Sequence, residues 1–125
     1  MAVRHLRRHG WKILGRNVRP VWRDRRCEID IVCRHAGENI LAFVEVKTHL
    51  RRSEFAPRLW AVDRRKKNVL LRAIRSWLRQ HDYPGSWRFD VIEVYGSCRS
   101  GAAPEIDHIE YVRIKPARRK PSFYR

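Results

Sequence analysis

Cys27-Glu28-Ile29-Asp30-Ile31-Val32-Cys33 and Ile40-Leu41-Ala42-Phe43-Val44-Glu45-Val46-Lys47-Thr48 are the two stretches that decide the fold. Both alternate with the period of two that is typical of β-strands, and each has an apolar face. The segment between them, residues 34–39, is too short for a crossover helix and contains a glycine suited to a tight turn. We therefore predict an antiparallel hairpin.

The turn sets which residues of the hairpin face each other. If Gly37 and Glu38 are the central turn residues, Asp30 lies opposite Glu45. The same register places Glu28 opposite Lys47. Directly opposed residues have Cβ atoms about 4.5–5.5 Å apart, so these four charged side chains are expected to share one patch of the sheet.

A cluster that contains several carboxylates needs a compensating positive charge. Lys47 supplies one such charge, and a divalent cation would supply two. Carboxylate and backbone carbonyl oxygens are ligands that Mg²⁺ and Mn²⁺ accept. The alternative is a lattice of surface charges on a solvated sheet face. Leu41 and Phe43, which share a face with Glu45, argue against that alternative because they are core residues by type.

Composition indicates the class of partner. The chain has 29 Lys and Arg against 13 Asp and Glu in 125 residues, which gives a formal charge of +16. Such a charge favours binding to phosphate backbones, and we expect nucleic acid as the partner. No apolar span or signal peptide indicates a membrane, so we expect a cytoplasmic protein. A homodimer remains open.

The cysteines give no sign of a disulfide framework or a zinc site. Cys27, Cys33 and Cys98 are an odd number and contain no C-x-x-C spacing. The first two lie on the apolar face of their strand, where we expect them to act as small apolar residues. This pattern agrees with a reducing compartment.

The remaining elements complete an α/β chain. We predict a helix over 2–9, a strand from Trp11, a helix from an Asp63 cap to about His81, and strands over 88–95 and 106–114. Alternating strands and helices predict a mixed central β-sheet flanked by helices. Residues 1–114 are expected to form one domain, and 115–125 a basic, flexible tail.

Two basic segments are candidates for phosphate binding. Cations crowd the first turn of the second helix, where they oppose the helix dipole unless an anion binds there. A solvated basic helix face is an equally good explanation. The residues that we assign to nucleic-acid binding are Arg64, Arg65, Lys66, Lys67 and, in the tail, Arg118, Arg119 and Lys120. Among the tryptophans, only Trp22 and Trp60 have basic or loop surroundings that suit base stacking.

Taken together, these motifs resemble a known family. Glu28-Ile29-Asp30 followed by Glu45-Val46-Lys47 is similar to the signature of the PD-(D/E)xK nuclease superfamily. The ordered blocks His9–Arg19, Glu28–Val32, Phe43–Thr48, Lys66 and Arg88–Val91 resemble, more narrowly, the YraN-like family of uncharacterised bacterial proteins. This resemblance extends over most of the chain, to about Val112.

The resemblance implies a restriction-endonuclease-like fold and, in active members, metal-dependent phosphodiester hydrolysis. It implies that Asp30 and Glu45 bind Mg²⁺ or Mn²⁺ together with the carbonyl of Val46. Lys47 would orient or deprotonate the attacking water and stabilise the developing charge. Glu28 would be a polar support or a secondary ligand.

The chain also departs from the pattern of its relatives. They usually carry a glutamate on the first helix, a few residues before the position matched by Ala2, and this chain begins after it. Cys27 replaces a glycine before the Glu-x-Asp, and His49 replaces a basic residue after Lys-Thr. Two functions from different classes therefore remain open: a metal-dependent endonuclease acting on structured or branched DNA, and a catalytically inactive module that binds nucleic acid. The resemblance to nucleases favours DNA over RNA as the partner, and a ribosome- or RNA-associated basic protein is the third, less favoured alternative.

Overall fold

A computed structural model describes residues 1–49, 64–96 and 103–114. The elements in this part of the chain are α1 (Ala2–Arg8), β1 (Trp11–Val18), β2 (Ile29–His35), β3 (Ile40–His49), α2 (Arg64–Gln80), β4 (Trp87–Tyr95) and β5 (Glu105–Ile109). The strands form a sheet in the order β1-β2-β3-β4-β5. The predicted α/β class with a mixed sheet and flanking helices is confirmed.

The predicted hairpin is present with the predicted register. β2 and β3 are antiparallel, and their ladder runs from the His35–Ile40 pair to the Ile31–Val44 pair. The amide of Asn39 donates to the carbonyl of His35 at 2.9 Å and closes the turn. The predicted register is therefore present, but the residue of the turn with a positive φ is Asn39, at 53°, and not Gly37.

The strand after α2 makes the sheet mixed. β3 and β4 are parallel, with Glu45 opposite Val91 and Lys47 opposite Glu93, whereas β1–β2 and β4–β5 are antiparallel. Parallel neighbours require a crossover connection, and α2 lies in the chain between these two strands. This arrangement places the charged end of β3 beside β4.

Helices cover opposite faces of the sheet. α2 contributes Ile74 and Trp77 to an apolar cluster around Phe43. α1 contributes Leu6 to a second cluster that contains Val44 and Ile92 on the other face. Burial of the sheet on both faces explains the nearly continuous apolar sequence of its central strands.

Several predictions about local structure can be compared with the fold. Cys27 and Cys33 are buried free thiols, as predicted, whereas Cys98, Trp60, the Asp63 cap and the tail lie outside the described residues. β5 ends at Ile109, not near Ile114. Tyr111 adopts a positive φ of 54°, and its amide donates to Asp90 Oδ1 at 3.1 Å, which interrupts the regular pairing with β4. The amide of Val112 still donates to the carbonyl of Phe89 at 2.7 Å. In the part of the chain that the structure describes, no helix is long and apolar enough to cross a membrane.

Candidate functional site

The site begins where β2 and β3 separate. Asp30 and Glu45 follow the Ile31–Val44 pair at the open end of the ladder. The amide of Val46 donates to Asp30 Oδ2 at 2.7 Å. The side-chain carboxylate of Asp30 thus accepts a hydrogen bond that a backbone carbonyl of the neighbouring strand would accept in a regular ladder. A strand residue directs its N–H and its C=O to the same neighbour, so the carbonyl of Val46 also faces the Asp30 side.

Glu45 lies on the face covered by α2. Its strand neighbours Leu41 and Phe43 are buried on that face, and the Glu45 side chain is only 12% exposed. Lys66, in the first turn of α2, places its Nζ 2.9 Å from Glu45 Oε1. The apolar face of β3 thus ends in a carboxylate that is held by a helix cation.

Electrostatic coupling connects the two carboxylates. Burial raises the pKa of Asp30 above its usual value, and the negative charges of Glu45 and Glu28 act in the same direction. The hydrogen bond from Val46 and the charge of Lys66 act in the opposite direction without cancelling the increase. The predicted mutual repulsion of Asp30 and Glu45 is therefore present in the fold, and a bound cation would relieve it.

Two lysines adjoin the carboxylates. Burial lowers the pKa of Lys47, and its hydrogen bond with Lys66 and the charge of Lys66 lower it further, against the attraction of Glu45 and Glu93. Burial also acts to lower the pKa of Lys66, but the hydrogen bond and charge of Glu45 outweigh it, and the pKa is raised. Lys47 is therefore the lysine of this pair that gives up its proton more readily.

Glu28 has a different partner from the one the register alone suggested. Its Oε2 lies 3.4 Å from Arg19 Nη2 at the end of β1. The ladder ends at the Ile31–Val44 pair, so Glu28 and Lys47 are beyond the paired part of the hairpin. Glu28 remains electrostatically coupled to Asp30, as a supporting residue would be.

A cleft on the α1 side of the sheet leads to this opening. It has a volume of about 480 Å³, and its lining includes Asp30, Val46 and the exposed cation Arg16. Glu45, Lys47 and Lys66 are not part of this lining, since Glu45 and Lys66 meet on the α2 side of the sheet. A cleft of this size admits a phosphate group with part of its sugar. Sequence reasoning did not identify Arg16, because a single basic residue at the end of an edge strand carries no pattern.

The donor set limits which metal the site suits. Within residues 1–49, 64–96 and 103–114 there is no group of three or more His, Cys, Asp or Glu side chains arranged to hold a metal. Two carboxylates and one carbonyl oxygen do not form a typical zinc site, which is rich in His and Cys ligands. They do match the ligands that a protein usually provides to Mg²⁺, whose other ligands are oxygens of water and substrate phosphate. The residues present therefore fit Mg²⁺ or Mn²⁺.

The predicted basic segments are only partly described. α2 begins at Arg64 and has no acidic residue in its first turn. Arg65 is exposed, whereas Lys66 is directed to Glu45. The tail residues Arg118, Arg119 and Lys120 lie outside the described residues. Their nucleic-acid role, like that of Arg64, Arg65, Lys66 and Lys67, remains a prediction.

Comparison with known proteins gives a consistent family. Residues 1–94 match the sequence model of a family described as Uncharacterised protein family UPF0102. A UPF0102 protein of Koribacter versatilis is 41% identical over 95 residues, which cover 76% of this chain and 63% of that protein. UPF0102 proteins of Pelobacter propionicus and Geobacter metallireducens are 39% and 41% identical over 110 residues. Those alignments cover 87% of this chain and 74% and 82% of the relatives.

Proposed function

Because this chain belongs to the uncharacterised protein family UPF0102, we propose its function from its own site: a nucleic-acid-binding, nuclease-like protein that hydrolyses phosphodiesters with Mg²⁺ or Mn²⁺. We also propose that the chain belongs to the PD-(D/E)xK superfamily. The observation that carries it is the Asp30 carboxylate, which is held by the Val46 amide at 2.7 Å in the opening between two strands. Glu45 and two lysines adjoin that opening.

Each residue of the opening has a role that follows from its chemistry. Asp30, Glu45 and the carbonyl of Val46 would hold the cation. When bound, the cation would polarise the phosphate and stabilise charge on its oxygens. Lys47, with its lowered pKa, would orient the attacking water and accept or share its proton. Arg16 in the cleft would neutralise an adjacent phosphate.

Net charge supports nucleic acid as the substrate class. A formal charge of +16 on 125 residues attracts polyanions over distances longer than any single contact. Structured or branched DNA is the substrate that we propose, because a cleft at a strand opening suits a phosphodiester that stands out from a regular duplex.

One observation favours the second candidate, an inactive nucleic-acid-binding module. The Lys66 ammonium already neutralises Glu45 at 2.9 Å, so the acidic cluster is compensated in part without a metal. A domain of this kind would bind nucleic acid through its basic surface and leave the strand opening unused.

Incubation with branched, nicked and linear DNA in Mg²⁺ or Mn²⁺ separates these functions. We expect cleavage by the wild-type protein that is absent in EDTA and lost in Asp30→Ala and Lys47→Ala. Glu38→Ala is the matched control, because Glu38 is an exposed carboxylate in the turn at the opposite end of the hairpin. Cleavage that persists in both site variants, or that needs no metal, would refute the assigned site. Salt-dependent binding without cleavage would favour the inactive module.

A further inference from the structure

Trp22 is the most exposed of the large apolar side chains described, at 83%. It follows Pro20 and Val21 in the segment that joins β1 to β2, which we call the Trp22 loop (residues 19–28). An indole has a large apolar area that normally packs against another surface. Its position in the loop therefore requires an explanation.

The Trp22 loop is fixed to α2 by contacts on both sides of Trp22, and the tryptophan side chain itself faces solvent. Val21 packs against the α2-side core, and the carbonyl of Pro20 accepts a hydrogen bond from Gln80 Nε2 near the end of α2. Asp24 Oδ2 accepts from Arg72 Nη1 at 3.2 Å, which fixes the second half of the loop to the same helix. Trp22 lies between these two attachments, so its exposure is a defined feature of the fold.

The surroundings of the indole are cationic. The guanidinium carbon of Arg23 lies 4.4 Å from the centre of the Trp22 ring, in a cation–π contact. Arg19, Arg25 and Arg26 in the same loop are also exposed. The neighbours of the ring are arginines and not apolar side chains, and an aromatic ring among arginines suits a nucleobase with its phosphates.

The loop lies along α2 beside the strand opening. Arg72 and Gln80 follow Lys66 by six and fourteen residues, which at 1.5 Å per residue corresponds to about 9 and 21 Å along the helix. Stacked nucleotides advance by about 3.4 Å. The loop attachments are thus separated from the position of Lys66 by the length of a few stacked nucleotides. The loop then continues directly to Glu28 and Asp30.

We propose that Trp22, assisted by Arg23, is a stacking site for an unpaired base of the bound nucleic acid. The inference deepens the proposed function, on which it rests, by naming the substrate class: nucleic acid with an unpaired segment beside the cleaved phosphodiester. Bases inside a regular duplex stack on each other and do not present a face to the ring, so this contact distinguishes unpaired strands from duplex.

Fluorescence anisotropy in EDTA tests the inference separately from catalysis. The probes are a fluorescein-labelled oligothymidine of about 15 nucleotides and a blunt duplex of the same length. We expect Trp22→Ala to bind the oligothymidine about 5- to 100-fold more weakly, as for the loss of one base stack, and the duplex within about twofold of the wild-type protein. Trp22→Phe, which keeps an aromatic face, should retain most of the affinity. Leu14→Ala, at another exposed apolar position, is the control and should change neither.

Three results would overturn the inference. Unchanged oligothymidine affinity in Trp22→Ala is the first, and an equal loss on both probes is the second. The third is a self-association, seen by sedimentation, that Trp22→Ala abolishes while oligothymidine binding is preserved, because the ring would then contact a second copy of the chain. Absence of metal-dependent cleavage with this selectivity intact would instead refute only the proposed nuclease activity.

Discussion

Replacement of Lys66 by methionine should weaken the folded state in EDTA and, at the same time, strengthen the binding of Mn²⁺. Methionine keeps an unbranched apolar side chain but removes the ammonium that lies 2.9 Å from Glu45 Oε1. Without it, Glu45 and Asp30 keep their mutual repulsion and lose their helix cation. A divalent cation would then meet the same two carboxylates without the competing charge of Lys66, and Lys47 would be the remaining cation of the pair.

The geometry sets the size of both effects. Charges 2.9 Å apart interact by about 6 kcal/mol at an effective dielectric constant near 20. Lys66 is 38% exposed, so solvent screening and side-chain ordering reduce the net value to about 1–2 kcal/mol. We expect a loss of about that free energy of unfolding in EDTA. A similar gain in metal binding corresponds to about 5- to 30-fold tighter Mn²⁺.

Urea unfolding, followed with and without Mn²⁺, measures both quantities. A ligand that binds the folded state stabilises it according to its concentration relative to Kd, so Mn²⁺ should restore more stability to Lys66→Met than it adds to the wild-type protein. Arg65→Met is the matched control. It removes an exposed cation at the preceding helix position and reports the effect of net charge alone.

Equal stability of Lys66→Met and the wild-type protein in EDTA, together with equal increments from Mn²⁺, would refute this reasoning. Identical changes in Lys66→Met and Arg65→Met would also refute it, since the effect would then be one of overall charge and not of the contact with Glu45.

Other parts of the fold give further expectations. Asp90→Asn should reduce the free energy of unfolding by about 3–5 kcal/mol in urea denaturation. It removes the buried charge partner of the Arg88 guanidinium, which lies 3.0 Å from Asp90 Oδ2, and leaves only the exposed Glu110 at 3.4 Å. The hydrogen bond from Arg26 lowers the pKa of Asp24 to about 2. The resulting stabilisation is present above the unfolded pKa and is lost as pH falls from about 4 to about 2; in acid unfolding, the difference between the wild-type protein and Asp24→Asn should vanish over that range. Burial raises the pKa of the Cys33 thiol to about 12, so mass spectrometry should find it unmodified by iodoacetamide at pH 8 in the native protein and alkylated in urea.

Local sequence rules were sufficient for the hairpin and its charged end. Alternation identified β2 and β3, and the Gly37 turn gave the register that the Ile31–Val44 pair confirms. A one-residue slip would have reversed every face, so the register was strongly specified by the apolar residues. This is why the proximity of Asp30 and Glu45 was predictable.

Divergence of the strands was not predictable from the hairpin alone. β3 continues beyond its ladder with β2 because β4 pairs with it as far as His49. That parallel partner depends on a crossover through α2, which is a long-range contact. As a result, Asp30 meets the Val46 amide, and the contact of Glu28 is with Arg19.

The position of Lys66 was beyond sequence reasoning for the same kind of reason. Cations in the first turn of a helix suggested a phosphate site, since the helix dipole disfavours them. The structure shows that one of them has a protein anion instead, 2.9 Å away on β3. Only the packing of α2 on the sheet decides between these partners.

Mn²⁺ binding to the free protein, counted by electron paramagnetic resonance, tests the metal site most directly because it needs no knowledge of the substrate. Asp30→Asn and Glu45→Gln remove one carboxylate each with little change in shape, and Glu38→Gln, in the exposed turn, is the control. We predict one saturable site in the wild-type protein and in Glu38→Gln that is lost in both site variants. Retention of the same site in Asp30→Asn and Glu45→Gln would contradict the assignment of the strand opening as a metal site.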